Sequence, residues 1–382
     1  MAMKVPPFKP ALSEQDIEEA VNKMQYTLRS GWLTGGPVVK EFEKTLARYL
    51  NVKHVIAVNN GTAALTCALK ALNIPESIIL VPDNTMAATV HAVVWNKGNF
   101  SLIDIDDENT FNVGVNSLEK TYLKASEKFG EDKIKGVIVV HISGHPVDMN
   151  PVKEFCDKKN LKLVEDAAHA LGSEYMGAKC ATLSDAGCIS LYPTKIMTTG
   201  EGGLIVTNQD KIAEECRIIL DQGRHSLYTS DTVLDGFNFR MSDINACLGL
   251  VQIKKLNGWI EQRRKMAELY NELLANCNWI ELPQERKYAK NNYYKFTCKI
   301  KKESKFSASQ IKEKLKEKGV SCGAEVFVPP IHKTSFYRTY SQGEEFPVCD
   351  ELLPRQLCLP MYSTIAEKEI EYVSEQIHHI GD

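Results

Sequence analysis

The sequence predicts an α/β fold in which a large sheet-bearing lobe is followed by a smaller one. Three observations carry that expectation. Short apolar runs at 54–58, 78–81, 101–105, 136–142, 161–164 and 203–207 alternate with stretches of helical periodicity, the pattern of buried strands joined by helices on both faces of a sheet. A long pattern from Ser242 to Ala275 has few breakers and reads as a helix leaving that sheet. Beyond it come an alternating strand over Tyr293 to Ile300, a helix over Ala308 to Lys318, and a closing helix with Ile370, Val373, Ile377 and Ile380 on one face. The expected division is therefore 1–245 and 246–382.

The first element has its own start signal. Ser13 followed by Asp16 has capping-box spacing, and Ile17, Val21, Met24 and Leu28 recur at helical intervals until Gly31 stops the pattern. Internal repeats and low-complexity tracts are absent from the 382 residues.

Composition narrows the function. With 43% hydrophobic and 25% charged residues the chain can bury a large core. A formal net charge of -3 gives no field for polyanions, so neither nucleic acid nor an acidic membrane surface is an expected partner. Basic clusters such as Lys299, Lys301 and Lys302 are expected on solvated faces. No apolar run approaches a membrane span, and Met1 to Pro10 lacks a stretch of signal-peptide length, so cytoplasmic residence is expected. The eleven cysteines form no C-x-x-C pair; zinc knuckles and a secreted disulfide framework do not fit, and reduced, mostly buried thiols are expected, with no metal site.

In an open α/β sheet ligands collect where strands end and helices begin. Four segments there carry chemistry. In Asn59 to Leu65, Gly61 permits a tight turn, and the Thr62 hydroxyl with the free N–H groups of a helix start would seat a phosphate; a plain turn capped by Thr62 has the same signature. In Leu161 to Ala170 an apolar run ends in Glu165 and Asp166, each of which needs a partner if buried. A protonated pyridine nitrogen would suit Asp166, a metal or a helix cap being the plainer reading, while His169 suits a cofactor face or a satisfied core position. Lys195, between Ser190-Leu191-Tyr192-Pro193-Thr194 and the turn Thr198 to Gly203, is poorly placed for surface charge; a desolvated lysine of lowered pKa forms a Schiff base readily. Ser190 is a second candidate donor to the phosphate. Gly236 to Met241 sets polar groups between aromatics ahead of Ser242, as a functional loop or a helix-start loop would.

Taken together, the strings GWLTGGP (31–37), NNGTAAL (59–65), GHPVDM (144–149), EDAAHALG (165–172), SLYPTKIMTTGEGG (190–203), GFNFRMSDI (236–244) and FPVCDELLPRQLCLPMY (346–362) resemble the DegT/DnrJ/EryC1/StrS family of sugar aminotransferases across nearly the whole chain. The resemblance implies the aspartate aminotransferase-type fold (fold type I): a mixed, mostly parallel sheet flanked by helices in a large domain that binds pyridoxal 5'-phosphate, plus a smaller C-terminal α+β domain. It implies a homodimer with both sites at the interface. Lys195 is similar to the lysine that binds the cofactor covalently, Asp166 to the partner of its ring nitrogen, and Thr62, Ala63 and Ser190 to phosphate ligands. Asn238 resembles the residue sent to the phosphate by the neighbouring subunit. Two positions depart from the family: His169 stands where glutamine is usual, and Met86 where an aromatic is usual, which leaves His169 more of the packing against the cofactor.

By the same resemblance the reaction is ping-pong transfer of an amino group from glutamate, through pyridoxamine phosphate, to a nucleotide-linked keto-sugar, most often a 4-keto-6-deoxy sugar. Trp32, Arg240, His332 and Lys333 are candidates for sugar or diphosphate contacts and equally for structural roles. A lyase or desulfurase on the same fold, or a regulatory relative that holds the cofactor without turnover, are the competing readings. The retained Lys195 argues against the family branch that has histidine there and dehydrates its substrate. A nicotinamide dehydrogenase is disfavoured because no G-x-G-x-x-G follows the first strand.

Overall fold

The computed structural model describes residues 3–226 and 228–381. In chain order its elements begin α1 (Glu14–Ser30), α2 (Pro37–Leu50), β1 (His54–Val58), α3 (Gly61–Ala71), β2 (Ile78–Pro82), α4 (Ala87–Trp95), β3 (Asn99–Ile103), α5 (Val115–Phe129), β4 (Ile134–Val140), α6 (Met149–Lys159) and β5 (Lys162–Asp166). They continue with the short β6 (Glu174–Tyr175) and β7 (Ala178–Lys179), then β8 (Ala186–Ser190), β9 (Gly203–Thr207), α7 (Asp210–Leu220), α8 (Asp243–Gln252) and α9 (Leu256–Leu274). The remainder is β10 (Ile280–Glu281), β11 (Ala289–Lys290), β12 (Phe296–Ile300), α10 (Ala308–Glu317), α11 (Pro347–Leu352), β13 (Gln356–Leu359) and α12 (Glu367–Gly381).

Seven strands form the main sheet in the order β1-β9-β8-β5-β4-β2-β3. Only β9 runs against the rest, pairing antiparallel with both β1 and β8, while β8-β5-β4-β2-β3 pair in parallel. The fold is thus the mixed, mostly parallel sheet flanked by helices. Strands buried on both faces explain the continuous apolar runs. Along β1 and β9, Ile56, Val58 and Ile205 pack with α3 and α7, whereas Val55, Ala57, Leu204 and Val206 pack with α2 and α8. Alternate side chains thereby serve two helix layers.

Several expectations need correction. The runs at 101–105, 136–142 and 161–164 are shifted by one or two residues, and β8 is a full member of the sheet although its run did not count among the expected strands. The long helix from Ser242 is two helices, broken by a 3-10 turn at Ile253–Lys255. Lys299 is not on a solvated face: it is buried on β12 and paired with Glu281 at 2.9 Å. The expected strand at 293–300 starts only at Phe296. Asn291 and Asn292 side chains take the N–H groups of Tyr293 and Tyr294, and Arg263 takes both their carbonyls, so neither residue joins a ladder. The capping box of α1 forms as expected, but its apolar stripe stays exposed, with Ile17 and Val21 each 43% and Leu28 59% accessible; α1 lies on α8 through Ala20 and Thr27 instead.

The smaller lobe builds a three-stranded antiparallel sheet, β10-β12-β13, against α9, α10 and α12, with Val5 of the N-terminal segment in the same core. The segment from Val326 to Leu353 returns to the first lobe, where Val326, Ile331, Tyr337, Phe346 and Cys349 pack with α3 and α4 residues. All eleven thiols are free, and only Cys322 is not fully buried. Among the described residues no helix is long and apolar enough to cross a membrane.

Candidate active site

Three strand ends meet at one edge of the main sheet: the β1–α3 turn, the end of β5, and the end of β8 with the turn that leads into the reversed strand β9. A cavity of about 250 Å³ opens there, lined by Gly61, Thr62, Met86, Asp166, His169, Ser190 and Lys195 among others.

The turn at Asn60-Gly61 is locally determined. Asn60 caps α3 by accepting the Ala63 N–H at 2.8 Å, which leaves the N–H groups of Gly61 and Thr62 without an acceptor among the described residues. A Cβ on Gly61 would lie 2.9 Å from the Ser190 Cβ, so glycine keeps the turn against β8. Two free N–H groups at a helix start, with the Thr62 and Ser190 hydroxyls beside them, have the donor chemistry of a phosphate seat. The N–H of Ala63, expected among the phosphate ligands, is here committed to the cap.

Neighbouring residues on a strand face opposite ways, and that separates the two acids on β5. Glu165 is fully buried on the far side, where it accepts from the N–H groups of Ala181 and Leu183, the Ser184 hydroxyl and His141 Nε2. It is structural. Asp166 faces the cavity, accepting from Thr89 Oγ1 at 2.8 Å and the Ala168 N–H at 3.1 Å, and Thr85 Oγ1 lies 2.7 Å from Thr89 Oγ1. Burial raises the Asp166 pKa, against those two hydrogen bonds and the Lys195 charge. A carboxylate so placed is best satisfied by a cation in the cavity.

Lys195 has no ion-pair partner among the described residues; its Nζ sits 4.7 Å from the centroid of the Tyr294 ring. Burial brings its pKa down to about 8, although Asp166 favours the charged form. His169 is 8% accessible, with its ring stacked against Tyr294 at 4.4 Å and against Phe327 at 5.6 Å. Burial, then the charges of Lys195 and Lys295, hold it well below the usual histidine range, so the ring is neutral, and its buried Nδ1 lacks a partner among the described residues. An orphaned nitrogen in a cavity wall marks a place where a bound molecule completes the hydrogen bonding. The donors, the buried acid, the amine and this nitrogen together fit pyridoxal phosphate.

Met86, the N-cap position of α4, is 57% exposed at the rim. The remaining expected residues are elsewhere. Asn238 is exposed and outside the cavity, in a bridge with Asp221. Trp32 is 46% exposed; Arg240 is tied to Asp221. His332 is braced by Asp83 at 2.6 Å and Asp350 at 3.1 Å, and Lys333 pairs with Asp350. Thr85, Thr89, Tyr192, Tyr294 and Phe327 are site residues that the sequence reading did not single out. The Thr85 and Thr89 spacing of four after a strand end is a usable signal; Phe327 has none.

A model of the DegT/DnrJ/EryC1/StrS aminotransferase family matches residues 14–378. The chain is 29% identical to a UDP-4-amino-4,6-dideoxy-N-acetyl-beta-L-altrosamine transaminase of Campylobacter jejuni, covering 96% of each. It is 29% identical to a GDP-perosamine synthase of Escherichia coli O157:H7, covering 98% of each. Its fold matches the crystal structure of a DegT DnrJ EryC1 StrS aminotransferase from Brucella abortus with a TM-score of 0.88 at 27% identity, over 96% of each chain. With the family model spanning nearly its full length, the chain belongs to the DegT/DnrJ/EryC1/StrS aminotransferase family and is a transaminase.

Proposed function

We propose that this chain is a pyridoxal-phosphate-dependent nucleotide-sugar aminotransferase, moving an amino group from glutamate to a nucleotide-linked keto-sugar, with a 4-keto-6-deoxy sugar as the acceptor class. The observation that carries the reading is one cavity shared by a lysine with no ion-pair partner among the described residues, a buried acid and a helix start whose first two N–H groups are free there. The acceptor class draws on the UDP-linked 4-amino-4,6-dideoxy sugar in the name of one relative and the GDP-linked sugar in that of another.

When bound, pyridoxal phosphate would supply the electron sink and carry the amino group between half-reactions. Gly61, Thr62 and Ser190 would hold its phosphate, Asp166 its ring nitrogen, and His169 one face or edge of its ring. With its pKa near 8, Lys195 is partly neutral around neutral pH and is able to take a proton from the donor carbon and return one to the acceptor carbon. Asn238, exposed and away from its own cavity, suits a role in the site of a second subunit. The exposed apolar side chains of Ile17, Val21, Leu28, Trp32 and Leu33 support a homodimer.

The test is the visible spectrum of the purified protein with pyridoxal phosphate, followed through additions of glutamate and then of UDP-, GDP- and TDP-linked keto-sugars. The expected result is a band that bleaches with glutamate and returns with one sugar class. A band that no amino donor alters would overturn the transfer reaction and favour a relative that binds the cofactor without turnover.

A further inference from the structure

Behind Lys195 lies a residue from the other lobe. Tyr294 belongs to neither the Lys195 turn nor the main sheet, yet it touches the site three ways. The Lys195 Nζ lies over its ring, its hydroxyl is 3.0 Å from Thr194 Oγ1, and His169 stacks on it with an interplanar angle of 30°. One ring therefore contacts the amine, the residue before it in the chain, and the neutral histidine of the cavity wall.

Tyr294 is in turn held more firmly than packing requires. Its N–H donates to Asn292 Oδ1 at 2.9 Å, and Asn292 Nδ2 donates at 3.0 Å to the carbonyls of both His169 and Leu171. Asn292 fits only because residue 144 is glycine: a Cβ there, at a φ of +93°, would lie 1.9 Å from Asn292 Oδ1. From α9, Arg263 donates to the carbonyls of Tyr293, Tyr294 and Met361 and to Ser363 Oγ. That guanidinium is 2% accessible and has no carboxylate among its partners; burial lowers its pKa to about 10. A buried charge satisfied only by neutral acceptors is a poor way to stabilise a core. Its four hydrogen bonds do, however, fix the path of the chain at 293–294 and 361–363.

We infer that Tyr294 is a positioning residue for the reaction, holding the Lys195 amine in its reactive orientation from the smaller lobe, with Arg263 and Asn292 fixing Tyr294. The ring stabilises the ammonium as a cation over its face and limits the directions the amine can take. The hydroxyl contact with Thr194 ties the lysine-bearing turn to the same ring. Correct placement of Lys195 thus depends on the two lobes being seated together.

This inference rests on the proposed covalent role of Lys195, and the experiment separates the two. Full-length apoprotein is mixed with pyridoxal phosphate, and the rate of growth of the visible band is measured from pH 6 to 10 for wild type, Tyr294→Phe, Tyr294→Leu and Thr194→Val. Tyr294→Phe is expected within about threefold of wild type, since the ring remains. Tyr294→Leu is expected to lower the limiting capture rate about tenfold with an altered pH profile, and Thr194→Val to lower it less. A purely structural role would lower the unfolding temperature of Tyr294→Leu and leave its capture rate and pH profile at wild type, which overturns the inference. Should Tyr294→Leu not fold, a Thr194→Val variant that captures pyridoxal phosphate at the wild-type rate and with the wild-type pH profile overturns it as well. Wild type that captures no pyridoxal phosphate sinks the function itself, not this refinement of it.

Discussion

Glu165 and Asp166 show how much one residue step decides. Both are acids at the end of one strand, and both are buried. The pleat sends Glu165 into a nest of four donors and leaves Asp166 facing the cavity with Thr89 and the Ala168 N–H. Asp166 keeps capacity for one more strong interaction, and a protonated ring nitrogen is the group that would use it. Asp166→Asn preserves shape and removes the charge, so it is expected to slow the glutamate half-reaction about 100-fold or more while the visible band still forms. Stopped-flow decay of that band checks it, and a rate within threefold of wild type would remove Asp166 from the chemistry. The positions of Lys195, Asp166, Gly61, Thr62 and Ser190 were legible in the sequence because each is a local signature, a polar residue or glycine at the end of an apolar run. Tyr294 and Phe327 were not, because they reach the site through the packing of a second lobe, and Tyr-Tyr-Lys-Phe reads locally as a strand.

Elements are held in register by a few buried polar ties. Asp243 at the start of α8 accepts the N–H groups of Gly36, Val38 and Val39 at 2.8, 3.0 and 3.2 Å, so it caps α2 from another element. A Cβ on Gly36 would lie 2.9 Å from that carboxylate, so the strings at 31–37 and 236–244 meet in one close contact. His332 does similar work for the returning segment. Burial alone would lower its pKa, but Asp83 and Asp350, one at each ring nitrogen, outweigh burial and raise it, even with Lys333 nearby. A raised folded-state pKa means the tie is complete below the unfolded value of about 6.5 and is lost as pH rises through the folded value. His332→Gln is therefore expected to cost on the order of 3 kcal/mol at pH 6, where it leaves Asp83 buried beside an uncharged side chain, and less at pH 9. Unfolding midpoints of both proteins across that range test it; a gap that widens with pH contradicts the charged tie. Strand order was less legible than strand existence: apolar runs report burial, whereas the insertion of β9 between β1 and β8 depends on pairings that no single run encodes.

At the scale of the whole molecule, the exposed apolar residues and the exposed Asn238 belong to one connected region. Leu33 accepts from the Asp243 N–H and the Ser242 hydroxyl, and Gly35 donates to the Met241 carbonyl, so the segment after α1 is stitched to the loop that carries Asn238. A second subunit seated on Ile17, Val21, Leu28, Trp32 and Leu33 would meet that loop too. The apolar stripe of α1 was legible as a helix signal, but its exposure was not, since periodicity is the same whether or not the chain's own core covers the stripe. If each site takes Lys195 from one subunit and Asn238 from the other, two defective chains should restore one another. Lys195→Ala alone is expected to be inactive, and Asn238→Ala to be weakened in holding the cofactor phosphate. Co-expressed with distinguishable tags, the mixed dimers carry one site with both defects and one with neither. Random pairing makes half the dimers mixed, so about a quarter of all sites should be intact, and purified mixed dimers should show about half of wild-type turnover. Mixed dimers no more active than Asn238→Ala itself would place Asn238 outside the partner's site, and a monomer in sedimentation would remove the shared site altogether.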